Sequence, residues 1–153
     1  MRRLAMLVVL GSLGCGSRPS TLTPEPQSPN SVVAQFLAAV KARDLVGMGR
    51  LWGDKDGPVR GRLADSVVTK RLTIMQIYLA HDGYRVIEGP TPVPGRADAV
   101  TFRVELQRAQ CNQVQPLDLV QTRRGGWLIN DVHLETAGNP ASPCKGRNPG
   151  TGS

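Results

Sequence analysis

The stretch Ala99-Val100-Thr101-Phe102-Arg103-Val104-Glu105-Leu106-Gln107-Arg108 decides the fold. Val100, Phe102, Val104 and Leu106 alternate with Thr101, Arg103, Glu105 and Gln107, a period of two that belongs to a strand with one face covered and the other wet. Arg103 and Glu105 are placed to pair across the wet face, a surface effect. Upstream the apolar period is helical. Val32, Val33, Phe36, Leu37 and Val40 form one stripe, with Ser31 as the expected cap and Lys41 and Arg43 at the negative end of the dipole. Asp44 caps a shorter helix in which Leu45, Met48, Leu51 and Trp52 share a face, although Gly47 and Gly49 weaken it. Gly53 to Arg62 reads as a loop. A third helix runs from Ala64 or Asp65 to His81, with Val68, Leu72, Met75 and Leu79 on its stripe. Val67, Ile74 and Tyr78 broaden that stripe into a wide buried face, and Gly83 is its stop.

Downstream of the third helix, Tyr84 to Glu88 is a short strand and Gly89 to Asp98, with three prolines, a long connecting loop. Val114 to Thr122 forms another strand, in which Pro116 needs an edge position or a bulge. Arg123-Arg124-Gly125-Gly126 makes a hairpin turn into a fourth strand, Trp127 to Glu135. Helices first and antiparallel strands afterwards give an α+β fold: three N-terminal helices packed on a curved, mainly antiparallel four-stranded sheet.

The chain has 153 residues, with 17 glycines and 12 prolines. That is about a fifth of the chain, against roughly 12% in ordinary proteins, so part of it is expected to stay unpacked. The length allows one domain of about 150 residues. A net charge of +7 invites a nucleic-acid reading, but between Ser31 and Glu135 there are 14 basic and 11 acidic residues. They are scattered, and few aromatics are available to stack bases, so solvated surface is the better reading and no nucleic-acid partner is expected.

Met1-Arg2-Arg3 followed by the apolar run Leu4 to Leu10 has the form of a secretory signal, too short for a transmembrane helix. Gly11-Ser12-Leu13-Gly14-Cys15 resembles the lipobox of bacterial lipoproteins, with Ser12 where leucine is usual. The resemblance implies cleavage after residue 14 and acylation of Cys15, with the protein held on the periplasmic side of the cell envelope. Gly16, in place of a retention aspartate, favours the outer membrane where one exists. Residues 15–30, rich in proline, read as a disordered tether, residues 31–135 as the folded domain and residues 136–153 as a flexible tail. With Cys15 lipidated, Cys111 and Cys144 remain as an even pair in an oxidising space, free to join in a disulfide that pins the tail or to stay as thiols.

The charged turn Lys41-Ala42-Arg43-Asp44 after the first helix, the run to Leu51-Trp52, and the closing Gly125-Gly126-Trp127-Leu128-Ile129-Asn130-Asp131-Val132 resemble the nuclear transport factor 2-like superfamily, including its SnoaL-like members and bacterial lipoproteins. The resemblance covers about residues 31 to 135 and implies a cone-shaped α+β roll with a pocket, catalytic in some members and not in others.

Asp131 and His133, two apart on one expected strand and so on one face, are the weak catalytic candidates. Trp127 and Ile129 share that face, Leu128, Asn130, Val132 and Leu134 the other, and either face can be the buried one. His81-Asp82-Gly83 reads as a helix end and turn. Trp52, Tyr78, Phe102 and Trp127 are core residues or the walls of a pocket for a small apolar ligand. The two histidines and the cysteines lack metal-ligand spacing, and no hydrolase, P-loop, dinucleotide or zinc-protease motif occurs, so neither metal nor cofactor is expected. The leading expectation is a lipid-anchored, non-enzymatic domain that binds an envelope protein or small ligand. The alternatives are a small-molecule isomerase or dehydratase of the same fold, and an envelope scaffold subunit.

Overall fold

The computed structural model describes residues 26–109 and 111–139. The signal, Cys15, the tether up to residue 25, Cys144 and the tail from residue 140 lie outside them. The elements are α1 (Pro29–Ala42), α2 (Leu45–Leu51), β1 (Gly53–Asp54), β2 (Gly57–Pro58), α3 (Asp65–Tyr78), β3 (Gly83–Val93), β4 (Arg96–Gln107), β5 (Asn112–Gln121), β6 (Trp127–Asp131) and a closing 3₁₀ turn, Leu134–Thr136. This is an α+β fold with three helices and a four-stranded antiparallel sheet in the order β3-β4-β5-β6.

The helix α1 starts earlier than the stripe implies. Ser28 caps it, accepting the Ser31 N–H at 3.3 Å, and Pro29 fills the first turn, where its missing N–H costs nothing. The left-handed Arg43 closes it, and Asp44 then caps α2 through Oδ1, which accepts the Gly47 N–H at 2.9 Å. Val32, Val33, Phe36, Leu37 and Val40 are all buried, as their spacing requires. On α3 the stripe Val68, Leu72, Met75 and Leu79 is buried, but the wide face expected around it is not: Val67 and Ile74 are 42% and 39% exposed. The helix ends at Tyr78, not His81. Arg108 takes the last carbonyl of the helix and one just beyond it, donating to Tyr78 O at 2.5 Å and Ala80 O at 2.9 Å.

Two expected loops are strands. Within Gly53 to Arg62, β1 and β2 pair as a small hairpin, and Trp52 forms a parallel bridge to Ile129 that lays this hairpin beside β6. The proline-rich stretch from Gly89 continues β3, which turns through Pro94-Gly95 into β4 and pairs along its length with three register shifts. It tolerates Pro90 and Pro92 because β3 is the sheet's edge, where a missing N–H breaks no ladder. Pro116 is tolerated for a related reason: pairing of β5 with β6 stops at Asp118, so Pro116 has a strand neighbour on one side only.

Phe102, Val104 and Leu106 are fully buried and join Leu117, Leu119, Ile129 and the buried residues of all three helices in one core. Packing reaches beyond the expected limits of 31 and 135, to Pro26, whose carbonyl accepts the Trp127 N–H at 2.9 Å, and to the buried Ala137. Cys111, at the β4–β5 turn, is disulfide-bonded.

Candidate functional site

The side of the sheet turned away from this core is polar where β3 pairs with β4 between Thr101 and Gln107, while Ala99, Val120 and Leu128, on the same side nearer the β5–β6 turn, are buried. Register places Arg85 opposite Glu105, Glu88 opposite Arg103 and Thr101 opposite Asp118. Arg85 reaches Glu105 at 3.2 Å and Arg103 reaches Glu88 at 3.2 Å, so the two charges of β4 each pair with β3 and not with one another. Asn112 adds a hydrogen bond from Nδ2 to the second Glu105 oxygen at 3.0 Å. These side chains are exposed or half-buried.

At the β6 end of this face lies a titratable cluster. The strand stops at Asp131, four residues before its expected end. Asp131 Oδ1 accepts the N–H groups of Val132 and His133 at 2.7 and 3.2 Å, and His133 adopts a left-handed conformation with φ 44°. From the core side the fully buried Gln115 donates through Nε2 to the carbonyls of Val132 and His133. The chain is thereby bent back over β5. His133 Nε2 lies 2.9 Å from Asp118 Oδ2, its Nδ1 lies 3.1 Å from Glu135 Oε1, and Thr101 Oγ1 donates to Asp118 Oδ1 at 2.6 Å.

The expected Asp131–His133 pair is therefore corrected. The two are not on one strand face; Asp131 shapes the turn, and the carboxylate partners of the imidazole are Asp118 and Glu135. Both ring nitrogens face carboxylate oxygens, an arrangement only the imidazolium satisfies with two donors. The hydrogen bond to Asp118, aided by the one to Glu135 and opposed by partial burial, raises the His133 pKa above 6.5. Both ring nitrogens are engaged by carboxylates on β5 and on the closing turn. The chemistry of His133 is that of a clasp between β5 and the closing turn.

A group whose native pKa is raised stabilises the fold fully below its unfolded value and loses that contribution as pH rises through the native value. His81 acts with the opposite sign, since burial against Tyr84 lowers its pKa below 6.5 and stability falls with acid. The difference between the native chain and His133→Gln isolates the clasp. We expect urea midpoints of the two to converge as pH rises above 6.5. A constant offset across neutral pH would remove the clasp.

The four aromatic candidates do not come together around one opening. Phe102 is fully buried and Trp52 is 7% exposed, both in the core, and Trp127 packs against it. Tyr78 is half-buried, and its carbonyl is held by Arg108. A half-open hollow of about 370 Å³ is lined instead by Lys55, Asp56, Gly57, Thr122, Arg123 and Arg124. His81, Asp82 and Gly83 are structural: Lys41 Nζ donates to Asp82 O, and Asp82 N donates to Gln107 O at 2.8 Å. Among the described residues no group of three or more His, Cys, Asp or Glu side chains can hold a metal ion.

Sequence reasoning did not find Asp118, Glu135, Gln115 or Arg108. The usable signal was Asp118 itself, a charge inside the run Leu117-Asp118-Leu119-Val120. Comparison with known protein families, with curated proteins and with solved structures finds no significant match.

Proposed function

We propose that this protein is a lipid-anchored, non-enzymatic domain of the bacterial envelope, on the periplasmic side, that binds a partner through the open face of its sheet. The observation that carries the reading is that face: Arg85, Glu88, Arg103 and Glu105 are matched across strands and, among the described residues, stay exposed or half-buried. The signal-like N-terminus with Cys15 supports the anchor. The element order supports a nuclear transport factor 2-like roll. The isomerase alternative is weaker, since His133 spends both nitrogens on Asp118 and Glu135.

Cys15→Ser is expected to move the protein from the membrane to the soluble fraction after detergent-free lysis, and full retention would defeat the anchor. A photo-crosslinker at Arg103, on the open face, is expected to give a discrete adduct in intact cells, whereas one at the exposed Arg50 of α2 gives none. Equal yields from both positions would reject the face. Cys144 is the proposed partner of the disulfide-bonded Cys111. The unreduced mature chain is then about two mass units lighter than the dithiol, and alkylation at both positions without reduction would refute the pairing.

A further inference from the structure

The hollow beside the β5–β6 turn has a chemistry that the open face does not use. It lies between two turns, Asp54 to Gly57 and Thr122 to Gly126, which the Arg123 N–H ties together by donating to Lys55 O at 3.0 Å. Both acids of the first turn are already matched: Arg62 is 3.0 Å from Asp54, and Arg123 is 2.8 Å from Asp56. Lys55 and Arg124 make no ion pair among the described residues, and both are exposed. The hollow thus offers two exposed cations outside any ion pair, beside the already paired Asp56, around a hydrogen-bonded backbone frame.

The same end of the molecule receives the N-terminal segment. Pro26 is buried, and its carbonyl accepts the N–H of Trp127, the residue directly after the β5–β6 turn. Residues 16–25 separate Cys15 from Pro26. Ten residues reach at most about 35 Å, so an acyl group on Cys15 keeps this end of the domain near the bilayer. The Cys111 turn lies at the opposite end of the strands.

We propose that Lys55 and Arg124, with Arg123 as the frame, form a docking site for the phosphate groups of anionic phospholipid at the membrane surface. The proposal rests on the lipid-anchor reading for the orientation of the domain. It deepens that reading: the acyl chains hold the protein at the membrane, and the hollow sets which end faces it. Each basic residue close to an anionic surface raises membrane partitioning about fivefold, and the attraction fades within a Debye length.

The test uses residues 16–153, which lack the acyl anchor but keep every buried core residue among the described ones, from Val32 to Ala137. Sedimentation with phosphatidylglycerol–phosphatidylcholine vesicles is expected to show salt-sensitive binding that phosphatidylcholine vesicles do not give. The double variant K55Q/R124Q is expected to bind roughly 25-fold more weakly, with its melting transition unchanged. Three results overturn the proposal: no binding to anionic vesicles, an equal loss in the charge-matched control K70Q/R71Q on α3, or saturation by inorganic phosphate without vesicle binding. The last would mark a site for free anions. The anchor fails separately, in the fractionation of Cys15→Ser, and this vesicle assay does not depend on it.

Discussion

Phe102→Ala is expected to destabilise the fold by about 3–5 kcal/mol. Phe102 is fully buried near the middle of β4, paired with Leu117, and its ring lies against Gly89 so closely that a Cβ there would stand 2.8 Å from Cδ1. That crowding leaves backbone on one side and the helices' core residues on the other, so the site cannot collapse around a methyl group, and the cavity adds to the lost burial. A small domain has a total stability of about 5–15 kcal/mol, so the variant is left near its threshold. The neighbouring Arg103→Ala is the natural contrast. It removes only an exposed pair with Glu88 and is expected to change stability by less than about 1 kcal/mol. Urea unfolding of both variants checks the pair. Equal losses at 102 and 103 would mean that the two faces of β4 are not one dry and one wet.

That contrast follows from the part of the sequence that was most legible. The alternation in β4 identified its buried face because a strand's side chains strictly alternate, and the α1 stripe was legible because Val32, Val33, Phe36, Leu37 and Val40 recur at the helical period. The proline-rich half of β3 was hidden: proline argues against a strand wherever both neighbours need its N–H, and only the strand order shows that β3 is an edge. The width of the α3 face was overestimated for a similar reason. Apolar residues at 67 and 74 fit the period, but what they meet depends on how far neighbouring elements extend, and that is not a local property. Val67, Ile74 and Ile77 of α3 consequently remain exposed.

The candidate site was half legible. His133 belongs to the cluster, but its partners depend on two tertiary facts. One is the turn that Asp131 and Gln115 impose, which ends the apolar pattern of β6 without any glycine or proline to announce it. The other is the β5–β6 register, which brings Asp118 opposite Asp131 and so beneath the bent-back ring. A carboxylate 15 positions away in sequence becomes the nearest partner only once that register is fixed. The basic hollow was invisible for the same reason, because Lys55 and Arg124 belong to turns far apart in the chain.

Gly53→Val is expected to cost roughly 3 kcal/mol or more and to remove the hollow together with the stability. A Cβ at Gly53 would run into the Gly57 carbonyl oxygen, and would stand 2.8 Å from both Pro58 Cα and Leu128 Cδ1. Two of these three are backbone atoms, which have no rotamer to escape into, so the β1–β2 pair must open. Opening it also breaks the hydrogen bond from Asn130 Nδ2 to Gly53 O at 3.1 Å, and it displaces Lys55, whose carbonyl holds the Arg123 N–H. Gly57→Ala separates steric clash from backbone strain. There the φ of 117° disfavours any side chain, but no atom lies within 4 Å of the new Cβ. Its cost is confined to the backbone, about 1–2 kcal/mol, and the fold should hold. Thermal melts followed by the fluorescence of Trp52, next to Gly53 and 7% exposed, read both variants. A Gly53→Val protein as stable as Gly57→Ala would show that the hairpin can move away from β6, and the two turns would then form no fixed frame for an anion.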